Sequence, residues 1–296
     1  MVGIAEEIIS RMVVASTPLF LATLGEIYTE RSGVINLGVE GLFVLGASIS
    51  FTATIITGDP YIALLATIVL GSVIGGIHGF VSTYLKGREI LSGLAITLFA
   101  YGLASILGRP YVGLSLPTRI NLANNYIYLL VINILLAILS WIILFKLKIG
   151  AIIRACGEDP SSAYVMGVDV DKVRLATTML GSGIASLAGG IYTLGYIQVW
   201  TEGAGMGWGW IAIANVIVSL WNPILAPIFS LIYGGINSMI WLLQLPPYNI
   251  SPYLLGTTPY LITLVTLFII VATPIKKYVK PPAALGIKFE REERTI

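Results

Sequence analysis

The sequence predicts an all-α, polytopic transmembrane helical bundle, and three observations carry that prediction. Of the 296 residues, 56% are hydrophobic and only 11% charged, with a mean hydropathy of +0.90. A soluble domain is about a quarter charged, so this chain has too little polar surface to cover a water-soluble particle. Its charges are gathered into short islands, separated by apolar runs near the ~20 residues that carry a helix across a hydrocarbon core. Those runs lack the strict apolar–polar alternation of lipid-facing strands, which argues against a barrel.

In order, the runs cover residues 12–24, 41–57, 61–85, 90–108, 127–145, 175–199, 224–243 and 260–273. A ninth, 208–221, is too short to span unaided and reads as half of a broken element. The expected count is eight to ten spans, with broken or re-entrant helices among them. The first run follows Glu6 and Glu7 rather than a basic region, and no small-residue cleavage site follows it, so it is read as a span and not a signal peptide. Residues 1–275 are expected to form the membrane domain, including a polar loop over 146–174. Residues 276–296 are expected to be a tail, poorly ordered because of its mixed charge and the pair Pro281 and Pro282.

Thirteen of the 17 Lys and Arg fall in three places: Lys86 and Arg88; Lys146, Lys148, Arg154, Lys172 and Arg174; and Lys276, Lys277, Lys280, Lys288, Arg291 and Arg294. Basic residues resist translocation, and an even number of crossings separates each group from the next if 208–221 counts as one. All three groups, and with them the C-terminus, are therefore expected in the cytoplasm of a multi-pass cell-membrane protein. Asp59, residues 109–125 and residues 246–259 are then expected outside. Parity puts the N-terminus outside too, unless the stretch between Leu24 and Gly41 hides another break, so that end stays open.

Small residues recur at spacing four in two runs: Gly71, Gly75 and Gly79, then Gly181, Ala185 and Gly189. That spacing lines one helix face, where backbones approach closely in lipid. Static packing is the plainer reading; a moving helix pair is the functional one. No catalytic set is visible. His78 is the only histidine, which rules out an HExxH zinc site and leaves a packing role. Cys156 is the only cysteine and reads as an incidental loop residue. There is no Gly-Lys pair, hence no phosphate-binding loop, and any use of ATP must come through another subunit.

Two segments place polar, glycine-rich sequence at the edges of apolar runs. They are Gly25-Glu-Ile-Tyr-Thr-Glu-Arg-Ser-Gly-Val-Ile-Asn-Leu-Gly-Val-Glu-Gly41, and Gly205-Met-Gly-Trp-Gly-Trp-Ile-Ala-Ile-Ala-Asn215 followed by Trp221-Asn-Pro223. Glycines free a backbone to break, and broken helices are where transporters expose helix ends to cargo. On these residues the chain resembles, over nearly its whole length, the permease subunits of ABC importers of the branched-chain amino acid, ribose and nucleoside type. The stretch Glu30 to Gly41, with Gly207-Trp-Gly-Trp-Ile-Ala-Ile-Ala214, is most similar to the nucleoside and simple-sugar branch.

A third segment, Gly150-Ala-Ile-Ile-Arg-Ala-Cys-Gly-Glu-Asp-Pro-Ser-Ser-Ala-Tyr-Val-Met-Gly167, reads locally as a two-turn helix over 160–166. Asp159 fits the N-cap, Pro160 the first turn and Gly167 the stop. The resemblance implies that this is a coupling helix docking into an ATP-binding subunit, with Gly157, Glu158, Asp159, Pro160, Ala163 and Gly167 as its pattern. Small Ala163 is expected on the docking side. The resemblance further implies a type II ABC importer: a second permease (a copy or a paralogue), two cytoplasmic ATP-binding subunits that hold ATP and Mg, and an extracytoplasmic substrate-binding protein. No cofactor, metal or nucleic acid is expected on this chain.

For cargo, the expectation is a nucleoside, with a sugar or branched-chain amino acid as the alternative. Trp208 and Trp210 offer rings for stacking, Asn36 and Asn215 a donor and an acceptor each, and Glu40 a carboxylate beside the breaks. The structural reading of the same residues is interface anchors and helix-break partners. A secondary carrier would keep more ionisable groups mid-span, and a membrane enzyme would cluster His, Asp or Cys on one side.

Overall fold

The computed structural model describes residues 4–118, 120–244, 247–251 and 280–290, with residues 254, 255, 257, 258, 261, 264, 265, 268, 269, 272 and 273 between them. The helices are α1 (Ile4–Arg31), α2 (Val39–Thr57), α3 (Pro60–Thr83), α4 (Glu89–Gly108), α5 (Tyr126–Lys146), α6 (Lys148–Glu158), α7 (Pro160–Val165), α8 (Val170–Ile191), α9 (Trp208–Val218) and α10 (Ala226–Gln244). A π-helical segment, Tyr192–Ile197, continues α8. Among the described residues there are no strands, only one antiparallel bridge between Ser115 and Val199. Among the described residues, six helices are long and apolar enough to cross a membrane, and Trp208–Val218 and Ala226–Ile240 are shorter apolar helical stretches. The bundle is thus all-α and polytopic. The expected span 260–273 and most of the basic cluster after it lie largely outside the described residues.

Local chemistry explains the boundaries. Gly58 ends α2 at φ +73°, and Asp59 then caps α3 by accepting from the Tyr61 amide at 2.7 Å, with Pro60 in the first turn. Asp169 caps α8 through the Lys172 amide at 3.2 Å. The first expected run proves too short. The helix α1 carries on through Glu26 and Glu30 to Arg31, and the break is confined to residues 32–38. The two acids survive inside the helix because each has a donor: Glu26 accepts from the Asn36 amide at 3.1 Å, and Glu30 from the Trp221 indole.

The core is built from α1, α2 and α8. In α1 and α2 78% of the apolar window is buried, against 22% in α5. The outer faces of α3, α4 and α5 carry exposed Leu65, Val69, Leu98, Phe99, Ile127 and Leu135, the surface that lipid covers. The glycine stripes do serve close packing. Any side chain at Gly71 or Gly75 would collide with Ser186 or Ser182 of α8, whereas Gly181 lies against Gly25 of α1 and Gly189 against Phe43 of α2. So α3 presents its stripe to α8, while α8 turns its own stripe to α1 and α2.

The helix ends sort to two faces. Ser10 Oγ donates to the Ala123 carbonyl at 2.9 Å, which puts the start of α1 beside the 109–125 loop. At the opposite face, Lys86 pairs with Asp171 at 2.8 Å, and the two faces are joined by a single uninterrupted α1. The expectation of a poorly ordered tail fails for residues 280–290. They pack against the α6–α7 region, because Pro282, Ala284 and Phe289 bury apolar surface there while Lys280, Lys288 and Glu290 stay exposed.

Gly75→Leu is expected to push α3 off Ser182 and cost about 1–3 kcal/mol, read as a lower melting temperature of the purified chain in detergent. Gly102→Leu is the control: a Cβ there meets nothing within 4 Å, and the melting temperature should not move.

Candidate functional site

A helix that begins inside a bundle leaves its first amides without partners, and in hydrocarbon each orphan costs several kcal/mol. The helix α9 begins this way. Residues 198–207 turn back into the bundle through Gly203, Gly205 and Gly207 at φ +76°, +86° and +92°. The carboxylate of Glu40, on α2, then receives the amides of Gly207 at 2.6 Å and Trp210 at 3.1 Å, together with the Tyr101 hydroxyl at 2.5 Å. A buried carboxylate is at home there because it meets the positive end of the helix dipole.

The other end of α9 is held from α1. Leu220 and Trp221 sit at φ +56° and +53°, a left-handed conformation unusual for such side chains. Arg31 Nε donates to the Trp221 carbonyl at 3.0 Å, and the Trp221 indole donates to Glu30. Within α9, Asn215 Nδ2 donates to Thr23 at 3.0 Å and Ser230 at 2.9 Å, stitching α9 to α1 and α10. Asn36 shapes the first break: its side chain donates to Ser182 at 3.2 Å and accepts from the Gly38 amide at 3.0 Å. Asn36, Glu40 and Asn215 have no exposed surface. Trp210 is half-buried. Trp208, also half-buried, packs in an aromatic group with Tyr192 (4.7 Å between centroids), Tyr196 (5.9 Å) and Phe43 (6.0 Å).

Tyr192 and Tyr196 also face open space. Beyond them lies a cleft of about 660 Å³ at the α1 N-terminal face, lined by Glu6, Glu7, Ser10, Arg11, Asn124, Tyr126, Tyr196 and Gln198 among others. A second cleft of about 400 Å³ shares Arg11 and Tyr196 and adds Tyr192, Thr201 and Ser238. Arg11 pairs with Glu7 at 2.8 Å on the exposed surface. The lining is therefore rich in hydroxyl and amide groups, with tyrosine rings backed by Trp208. Sequence reasoning missed this set. An arginine one turn after Glu7 at the start of an apolar helix was the available signal.

At the opposite face, Asp159 caps α7 through the Ser162 amide at 3.0 Å and hydroxyl at 2.5 Å, and those bonds hold its carboxyl below the usual range. Pro160 stands in the first turn. Gly167 stops the helix at φ +88°. Gly157 is needed because a side chain there would strike the Arg31 carbonyl, and Glu158 accepts from the Ala283 amide at 3.2 Å. Ala163 does not face outward: it is fully buried with Cys156, Val170 and Phe289, because the turn of α7 rolls it onto α6 and α8. The outward apolar residues are Tyr164, Val165 and Met166, the latter two 85% and 74% exposed. Burial pushes the Cys156 thiol up to about 11, so it is an inert packing group. His78 is a satisfied one, with the Ile35 carbonyl and Ser92 Oγ each at 3.1 Å.

A polytopic bundle with a short inner helix held at both ends and an open polar cleft fits a membrane transport component. Residues 8–273 match the permease component family of the branched-chain amino acid transport system, and the chain belongs to that family. It is 30% identical to the putative glucose ABC transporter permease protein of Haloferax volcanii, over 97% of this chain and 98% of that protein. It is likewise 30% identical to the guanosine ABC transporter permease protein of Bacillus subtilis (90% and 92% covered). To the nucleoside ABC transporter permease protein of Lactococcus lactis it is 26% identical (95% and 96%). No solved structure matches. The chain is a multi-pass permease component of an ABC transporter, a transport subunit.

Glu40→Ala should strand two helix-end amides and cost about 2–4 kcal/mol, lowering the melting temperature and abolishing transport. Glu40→Gln, which still accepts hydrogen bonds, is expected to fall between Glu40→Ala and the natural protein in both measurements.

Proposed function

We propose that the chain imports a nucleoside, pairing with a second permease, a copy or a paralogue, around a path that the Arg11–Tyr196 cleft enters. The observation that carries this reading is the lining of that cleft: tyrosine rings suited to a flat base, beside Asn124, Gln198, Ser10, Thr201 and Ser238 suited to ribose hydroxyls. The guanosine and nucleoside relatives support it. A sugar is the second reading, favoured by the putative glucose relative. Asn36, Glu40, Trp208, Trp210 and Asn215 contribute to the path by fixing the breaks that bound it.

The α6–α7 face lies in the cytoplasm, as the clustering of Lys86, Arg88, Lys146, Lys148 and Arg154 supports, and the cleft opens outside toward a substrate-binding protein. On the cytoplasmic face α7 docks an ATP-binding subunit through Val165 and Met166. Two such subunits hold ATP and Mg, and their closure moves α7 in an alternating-access cycle.

In reconstituted complexes, excess guanosine or adenosine is expected to compete for uptake, while glucose and leucine are not. Tyr196→Ala should raise the half-saturating nucleoside concentration about ten-fold. Competition by glucose alone moves the assignment to the sugar reading, and by leucine alone to amino acids.

Val165→Asp should leave the permease folded yet reduce uptake and substrate-stimulated ATP hydrolysis together, because it puts a charge into a docked apolar contact. Ala163→Trp, by contrast, should lower permease yield, since it overfills the packing beneath α7. Unchanged uptake in Val165→Asp at equal yield would refute the docking role of α7.

A further inference from the structure

The docking helix has a structural problem that the tail addresses. A helix of six residues cannot stand alone, and force applied at Val165 and Met166 would pivot α7 about Asp159 unless something braces it. Residues 283–289 lie across the back of the α6–α7 module. The Ala284 amide donates to the Gly157 carbonyl at 2.8 Å, and the Gly286 amide to the Gly33 carbonyl at 3.0 Å. Phe289 is buried under α7 with Cys156, Ala163 and Val170, its ring 5.6 Å from that of Tyr164 and 5.7 Å from Lys86 Nζ.

Arg174, 3% exposed, is the knot of this arrangement. Its guanidinium donates to the Ser32 carbonyl at 3.1 Å, the Cys156 carbonyl at 3.0 Å and the Ile287 carbonyl at 2.9 Å. Those carbonyls belong to the 32–38 turn, the end of α6 and the tail. A planar fork with five donors can join three backbones in this way, whereas a lysine is a single point charge. The tail leaves Val165 and Met166 uncovered, so it does not block docking.

We infer that residues 283–289 and Arg174 form a clasp that makes α6–α7 and the 32–38 turn move as one body, with Arg174 as its positioning residue. This rests on the reading of α7 as the docking helix. Force arriving at α7 then passes to the 32–38 turn, which leads into the first turn of α2 with Glu40 and the α9 cap, and is not dissipated in bending at Gly157.

The test uses Arg174→Lys, Phe289→Ala, Phe289→Leu and termination after Pro282, each in the assembled complex with its ATP-binding subunits. The expected result is retained ATP hydrolysis with cargo moved per ATP reduced about five-fold or more, at unchanged half-saturating cargo concentration. Phe289→Leu, which keeps an apolar plug, should remain near the natural ratio. Amide exchange over residues 155–165 of the purified chain should quicken about ten-fold in the first two variants. An unchanged transport-to-ATP ratio in assembled Arg174→Lys and Phe289→Ala would overturn the clasp, as would unchanged exchange. If termination prevents assembly, those two point variants decide. Absence of ATP-driven uptake by the natural complex would instead defeat the docking reading, and the exchange measurement would still judge the clasp.

Discussion

The structure depends on one constraint: a helix that starts and stops inside an apolar bundle must have its backbone ends satisfied by the protein itself. For α9 both ends are met by one short stretch of sequence. Glu30 and Arg31 hold the Leu220–Trp221 end, and Glu40 holds the Gly207–Trp210 end. Only the turn 32–38 separates the two sets of contacts in sequence, so α1 and α2 must reverse direction there for the pair to reach opposite ends of an 11-residue helix.

That requirement propagates outward. Because α1 and α2 grip α9, they cannot also be lipid-facing, and α8 must pack closely to complete the core. It does so with small residues: Ser182 and Ser186 meet the glycines of α3, and Gly181 and Gly189 meet the backbones of α1 and α2. The hydrophobic effect adds nothing to helix association in lipid, so close backbone approach and interhelical hydrogen bonds, such as Asn36 to Ser182 and Asn133 to Thr17, carry the cohesion. The outer helices α3, α4 and α5 can then be plain apolar rods.

How much of this was legible in the sequence divides along the same line. Span positions follow from hydropathy because lipid reads hydropathy. The caps at Asp59 and Asp159 and the stop at Gly167 follow from local chemistry. The two glycine-rich segments were visible as breaks, but the partners that make them possible were not. Glu26 and Glu30 look like helix-ending acids until Asn36 and Trp221 arrive from 10 and 191 residues away. Ala163 faced inward, not outward, since six residues are too few to display a periodic pattern. Arg174 read as one more positive charge on a loop, and Phe289 as part of a polar tail; both have their roles only in contact with distant backbone. The cleft residues Arg11, Tyr196 and Gln198 come from separate elements, and no spacing joins them.

The same geometry bounds what motion the permease can use. The caps of α9 are hydrogen-bonded to rigid helices, and breaking the Glu40 set would expose amides to an apolar surround. Alternation that left these bonds intact would therefore carry α9 together with α2 and the end of α1, and would find its freedom elsewhere. The loosely covered side of the molecule is the one where α10 meets the clefts, with Tyr192, Tyr196, Thr201 and Ser238 around open volume. There the π-helical segment ends at Gln198 in a left-handed turn, φ +57°, beside a loop already turned by Gly203, Gly205 and Gly207. The walls of that cleft, Arg11 from α1 and Tyr196 from the π-helical end of α8, thus stand apart from the hydrogen bonds that cap α9.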